Sequence, residues 1–122
     1  MGVLGIDHVQ LAMPRGKEAA ARSFYANVLG LDEVAKPAPL TQRGGCWFAR
    51  ADVKVHLGVD PDFMPATRAH VCFVVDDLAA MSGQLASAGY AVKADNAIAG
   101  VNRLFTTDPF GNRIEIMEGR AR

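Results

Sequence analysis

Residues 107–118 read Thr-Asp-Pro-Phe-Gly-Asn-Arg-Ile-Glu-Ile-Met-Glu, which is the pattern of a tight turn followed by a short strand. Pro109 restricts φ and Gly111 tolerates positive φ, so the first half has turn chemistry. The second half alternates: its two isoleucines would share one face of a strand, whereas Glu115 lies on the other. A carboxylate in mid-strand is costly to desolvate without a partner. The functional role of this strand therefore depends on which group interacts with Glu115.

Length and composition narrow the class of protein. The chain has 122 residues, half of them hydrophobic, which predicts a single domain with one real core. Thirteen basic residues balance thirteen acidic ones, so the chain lacks the excess of positive charge that is typical of nucleic-acid-binding proteins. No apolar run approaches the roughly 18 to 20 residues that span a bilayer, and no signal-peptide pattern opens the chain. Cys46 and Cys72 form no metal or redox motif and suggest buried, reduced thiols. We therefore expect a cytoplasmic protein without nucleic-acid or membrane partners.

The same order of elements occurs twice in the sequence. Helix-like patterns cover residues 17–29 and 77–88, each ended by a glycine, and strand-like alternation surrounds them. The predicted strands are 6–12, 33–36, 45–50 and 53–59 in the first half, and 70–75, 90–93, 101–106 and 112–118 in the second. The chain thus reads as two βαβββ modules, about 1–60 and 66–122, in one domain. We expect an α+β fold in which curved mixed sheets surround a shared cleft, with the helices outside.

All three histidines of the chain fall on strands, at corresponding positions of the two modules. His8 and His70 belong to the first strand of a module, and His56 and Glu115 to the last. Strand parity places each side chain opposite the apolar face. Imidazole and carboxylate groups are good ligands for divalent metals, so the four side chains form a candidate metal site. Two plainer interpretations stay open: each histidine is structural or solvated, or Glu115 is paired with a nearby arginine, Arg103 or Arg113.

Four segments together resemble the vicinal oxygen chelate superfamily, which includes glyoxalase I, fosfomycin-resistance proteins, extradiol dioxygenases and bleomycin-resistance proteins. They are Asp7–Val9, Phe24–Leu31, Ala69–Val71 and Asp108–Glu115. The resemblance covers nearly the whole chain and implies a glyoxalase/bleomycin resistance-like fold. It also implies a metal site at His8, His56, His70 and Glu115, or at three of these without His56, holding Zn, Ni, Fe, Mn or Co. A small-molecule substrate and a homodimer are implied as well.

Departures from the subfamily patterns narrow the expected chemistry. Glyoxalase I resembles this chain but has a carboxylate as the last ligand of both modules, where His56 stands here. The extradiol dioxygenase signature has tyrosine at the position of Phe105, so the hydroxyl for ring cleavage is missing. Fosfomycin-resistance proteins have threonine where Gln10 stands.

The sequence therefore predicts a divalent-metal-dependent, glyoxalase-like enzyme of isomerase, lyase or thiol-addition type, acting on a small oxygen-rich substrate. Glu115 and His56 are its candidate catalytic residues, and Gln10 is a candidate substrate contact. The alternative is a metal-free binding protein of bleomycin-resistance type, and an extradiol dioxygenase ranks below both.

Overall fold

The computed structural model describes residues 1–119, and the end of the predicted second module, residues 120–122, lies outside the described residues. The chain divides into two compact units, the first covering Met1–Met64 and the second beginning at Pro65. The boundary falls in the linker between the two predicted modules. That both modules belong to one domain, and that they share a cleft, stays a prediction.

The first unit is a four-stranded mixed sheet with one helical segment. In chain order it contains β1 (Val9–Met13), α1 (Glu18–Ala21) with a π-helical continuation (Arg22–Val28), β2 (Asp32–Val34), a 3-10 helix (Ala38–Arg43), β3 (Cys46–Arg50) and β4 (Val53–Val59). The strand order is β1-β4-β3-β2. β1 runs parallel to β4, whereas the other neighbours are antiparallel. The long connection that a parallel pair requires is supplied here by the helix and two strands.

The helix of the first unit widens after one turn. Leu29 N–H donates to the carbonyl of Phe24, five residues back, which is π-helical geometry. The fully buried aromatic side chains of this helix are Phe24 and Tyr25. The Tyr25 ring stacks on that of Phe48 in β3, with centroids 5.6 Å apart. The helix therefore covers the apolar face of the sheet.

The second unit repeats this architecture. It contains β5 (Val71–Val75), α2 (Leu78–Ser87), β6 (Lys93–Asp95), β7 (Arg103–Thr107) and β8 (Arg113–Glu118). The strand order is β5-β8-β7-β6, with β5 parallel to β8. Asp77 caps α2 by accepting a hydrogen bond from the Ala80 N–H. Ile114 and Ile116 are fully buried, so the apolar face of β8 is the one that the sequence indicated.

The α+β fold class and both βαβββ modules are confirmed, and the differences lie at element ends. β6 begins at Lys93 rather than Tyr90. The Tyr90 N–H instead donates to the Leu85 carbonyl and completes the end of α2. β1 begins at Val9, so His8 precedes its strand rather than lying within it. No helix in residues 1–119 is both long enough and apolar enough to cross a membrane.

Candidate functional site

The polar face of the second sheet carries the candidate residues of that unit. Glu115 lies at the centre of β8, where its cross-strand neighbours are Cys72 on β5 and Phe105 on β7. Directly paired residues share a face, so these three side chains form one row across the sheet. Glu115 is only 8 % exposed, so it is a buried carboxylate and must be paired.

His70 is the first partner of Glu115. Its Nε2 lies 2.8 Å from Oε1 of Glu115. Its Nδ1 lies 2.9 Å from the backbone carbonyl oxygen of Arg68, which can only accept a hydrogen bond. Nδ1 therefore carries a proton, and in the neutral imidazole Nε2 presents a lone pair to the carboxylate. This orientation by a backbone carbonyl is the one that metal-binding histidines commonly have.

Arg103 is the second partner of Glu115. Its NH1 donates to Oε2 of Glu115 at 3.1 Å, and its NH2 lies 3.5 Å from the carboxylate of Asp95. Burial by itself would raise the pKa of Glu115, but the interactions with His70 and Arg103 outweigh it and hold that pKa below its ordinary value. Glu115 is therefore ionised at neutral pH. The pairing with Arg103 is the plainer interpretation that the sequence left open for Glu115, and it coexists with the contact to His70.

In the first unit, His56 lies between two aromatic rings. The indole of Trp47 is parallel to the His56 ring within 1°, at a centroid distance of 3.7 Å. On another side His8 stacks on His56 at 4.2 Å with an interplanar angle of 22°. The His8 ring is oriented by Asp7, whose Oδ2 lies 2.9 Å from Nδ1 of His8. Trp47 and His56 face each other because they pair directly across β3 and β4.

The environment of His56 keeps its imidazole neutral. Burial lowers the pKa of His56, and the neighbouring His8 lowers it further. Gln10 is the partner of His56 on the other side, across β1 and β4. Its side chain lies over Gly58, where an added Cβ would come within 2.6 Å of Nε2 of Gln10. Gln10 and His56 thus share the polar face of the first sheet, as the parity predicted.

The donor atoms of the second unit fit a divalent metal better than those of the first. Nε2 of His70 and Oε1 of Glu115 are oriented toward each other and sit close enough to be neighbouring ligands. The rings of His8 and His56 are nearly parallel, so their in-plane lone pairs do not meet at one point between them. Within residues 1–119, no three or more His, Cys, Asp or Glu side chains are grouped closely enough to hold a metal ion. The four-ligand set stays a prediction.

Two site residues were not identified as such from the sequence. Arg103 was named only as a possible ion-pair partner of Glu115, and Trp47 was not among the candidate residues. Strand parity could have found both, because Arg103 lies on the Glu115 face of β7 and Trp47 on the His56 face of β3. The expectation for the thiols was half right: both cysteines are free, but Cys46 is buried and Cys72 is exposed.

Each unit also has a cavity beside its candidate residues. The cavity of the first unit measures about 360 Å³ and is bordered by the three rings together with Asp7, Val34, Ala35, Phe48, Ala49 and Lys54. That of the second unit measures about 460 Å³ and includes Phe105 and Arg113 in its wall. Both volumes lie in the range of small-molecule sites.

Comparisons with known proteins agree on the family. The sequence model of the Glyoxalase/Bleomycin resistance protein/Dioxygenase superfamily matches residues 5–116. A crystal structure from Bacillus anthracis, of a protein assigned to the glyoxalase family, is 44% identical at a TM-score of 0.93, with 98% of each chain covered. No curated protein sequence matches the chain.

More distant structures share the fold alone. Lactoylglutathione lyase from Agrobacterium tumefaciens is 21% identical at a TM-score of 0.75, over 97% of this chain and 96% of its own. An antibiotic binding protein from a Streptomyces species is 22% identical at a TM-score of 0.74, over 98% of this chain and 99% of its own. The same fold thus carries a lyase and a binding protein, so the side chains of the site must decide between the two.

Proposed function

The chain belongs to the Glyoxalase/Bleomycin resistance protein/Dioxygenase superfamily, and on that premise we propose that it is a divalent-metal-dependent enzyme of glyoxalase type. The proposed substrate is a small, oxygen-rich molecule, and the proposed chemistry is isomerisation, elimination or thiol addition. His70 and Glu115 are the proposed metal-binding pair of the second unit.

One observation carries this proposal. Oε1 of Glu115 accepts hydrogen bonds only, and Nε2 of His70 is also an acceptor in the tautomer that the Arg68 carbonyl selects. Two acceptors 2.8 Å apart repel unless a positive centre lies between them. That centre is either an additional proton, which makes His70 an imidazolium, or a metal ion. A divalent ion there would supply Lewis-acid activation of neighbouring substrate oxygens.

The protein's own residues would position the substrate and move protons. Glu115 is ionised and accepts a hydrogen bond from Arg103 through Oε2, so it is oriented before substrate arrives. His56 is neutral and can accept a proton, which makes it the candidate general base of the first unit. Gln10, its neighbour across the strand, can donate a hydrogen bond to a substrate oxygen. Phe105 has no hydroxyl, which argues against oxygen-dependent ring cleavage.

Metal content is the direct test. Protein purified without a histidine tag should contain close to one divalent ion per chain by elemental mass spectrometry. Anaerobic reconstitution with Fe(II), Ni(II), Zn(II), Mn(II) or Co(II) should then give turnover with α-oxoaldehyde–thiol adducts or with epoxides plus thiols. Failure to bind any of the five ions would refute the proposal. Fe(II)-dependent cleavage of catechols would replace it with dioxygenase chemistry.

The cavity of the first unit favours a second candidate, a metal-free protein that sequesters a flat or hydrophobic compound. Its wall is mainly apolar and aromatic, and the Trp47 ring already stacks on His56 at 3.7 Å. Such walls bind planar ligands by stacking. Tight binding of aromatic compounds to chelator-treated protein, together with no metal uptake, would favour this function.

A homodimer, also predicted, can be checked by analytical ultracentrifugation.

A further inference from the structure

Phe105 connects the His70–Glu115 pair to the cavity of the second unit. It lies directly opposite Glu115 on the neighbouring strand, and its ring centroid is 5.8 Å from that of His70. The cavity of about 460 Å³ has Phe105 in its wall, so this one ring adjoins both the pair and the cavity. The polar side chains of the wall are Thr67, Lys93, Asp95, Thr106, Thr107 and Arg113.

The guanidinium of Arg113 lies over the ring of Phe105. Its Cζ lies 4.1 Å from the ring centroid, a cation–π distance. The two carboxylates on this face, Glu115 and Asp95, are both paired with Arg103 instead. Among residues 1–119, Arg113 makes no ion pair. Packing on Phe105 thus positions the guanidinium, whose charge has no anionic partner within residues 1–119. An arginine in this state can bind an anionic group of a ligand.

Lys93 adds a second cation to the same wall. It pairs directly with Phe105 across β6 and β7, so both side chains project from the same face. Lys93 likewise forms no ion pair with any acidic side chain in the described part of the chain. The wall therefore has two positive groups against one carboxylate, Asp95, and that carboxylate is paired with Arg103 at 3.5 Å.

From this arrangement we infer that the cavity is an oxyanion subsite. Arg113 binds a carboxylate, phosphate or phosphonate group of the ligand through its planar fork, and Lys93 contributes a second positive charge. As a statement about substrate, the inference rests on the proposed function: the substrate carries an anionic group in addition to the oxygens near Glu115. The binding of an anion in this cavity does not require a metal ion.

Metal-free protein allows the subsite to be tested separately from the metal. Chelator-treated, ¹⁵N-labelled protein is titrated with acetate, methylphosphonate and neutral acetamide, and amide and arginine Nε–H signals are followed by NMR. We expect both anions, and not acetamide, to shift the signals of Arg113 and of residues 93–95 and 105–107. The anion that binds more tightly identifies the group as a carboxylate or a phosphonate.

Variants then assign the binding to individual side chains. Arg113→Met should weaken the preferred anion at least about tenfold, because a charge-assisted hydrogen bond is lost. Lys93→Met should weaken it about threefold, since one nearby charge is removed. Arg15→Met removes an exposed arginine of the first unit and is the matched control, with no change expected. Arg113→Lys retains the charge without the fork and should bind with intermediate affinity.

The outcomes distinguish this inference from the proposed function. Anion binding that Arg113→Met abolishes supports the subsite even if no metal binds to the wild type. Equal anion affinity in Arg113→Met and Arg15→Met, equal binding of acetamide and acetate, or no anion binding would overturn it. If Arg113→Met does not fold, Lys93→Met and Arg113→Lys decide: unchanged affinity in both would overturn the subsite.

Discussion

Nε2 of His70 lies 2.8 Å from Oε1 of Glu115, although 45 residues separate them in the chain. The pairing of parallel neighbours β5 and β8 brings them together: Val71 is opposite Ile114, so His70 precedes the ladder beside the start of β8. The contact is therefore a property of the sheet rather than of a mobile loop. When the imidazole of His70 is neutral, both facing atoms are hydrogen-bond acceptors. The pair therefore needs a positive centre, which is either a proton or a metal ion.

Removing either member of the pair should weaken metal binding. We expect Glu115→Gln and His70→Gln each to reduce the affinity for Zn(II) or Ni(II) at least about tenfold, because each removes a ligand from a small set. The matched control is Glu33→Gln, which also removes a strand carboxylate paired with an arginine, Arg22. Isothermal titration calorimetry on tag-free protein measures the change. If both variants bind the metal with wild-type affinity, the positive centre between His70 and Glu115 is a proton.

The only tryptophan in the chain is a built-in reporter for His56. Because Trp47 stacks on His56 at 3.7 Å, Ni(II) bound to that imidazole should quench the indole emission. We expect the quenching to disappear in His56→Leu and to persist in the control variant Arg15→Met, which leaves all four candidate ligands in place. Fluorescence titration shows this directly. An emission that Ni(II) leaves unchanged in the wild type would remove His56 from the predicted ligand set.

Burial should make the thiol of Cys46 slow to react. Desolvation raises the pKa of Cys46 from its ordinary value of 9.0 to about 11, so the reactive thiolate is scarce at pH 8. The Cys72→Ser variant, which leaves Cys46 alone, should react with a disulfide reagent about a hundredfold more slowly when native than when unfolded. Since the folded pKa is the higher one, this contribution to stability is complete below pH 9 and is lost between pH 9 and about 11. Equal rates for native and unfolded protein would contradict the buried position.

Two glycines should respond in opposite ways to alanine. Gly45 has φ of +80°, and an added Cβ would lie 2.1 Å from the carbonyl oxygen of Leu57, so Gly45→Ala should destabilise the fold strongly. Gly83 lies inside α2 with nothing within 4 Å of the added Cβ. Gly83→Ala should therefore stabilise by about 0.5–1 kcal/mol, through helix propensity and unfolded-state entropy. Chemical denaturation measures both changes, and a neutral Gly45→Ala would contradict the close approach to β4.

The sequence by itself determined the fold class, the repeat and the face of those candidate residues that lie within strands. These properties are local: alternation with a period of two gives the face of a strand, and glycine or proline gives the end of an element. His56 and Glu115 are accordingly found on the polar faces of their sheets. The misplaced start of β6 is also a local effect that the pattern did not reveal, because Tyr90 ends α2 with a backbone hydrogen bond.

Only the tertiary structure decided which partner each of these side chains meets. Whether Glu115 is paired with Arg103, with Arg113 or with a histidine depends on the register between β5, β7 and β8, which brings residues from distant parts of the chain into one row. Parity gives the face but not the neighbour, since shifting a strand by two residues keeps every face and changes every partner. For the same reason the stack of Trp47 on His56 and the position of Arg113 over Phe105 follow from strand pairing alone.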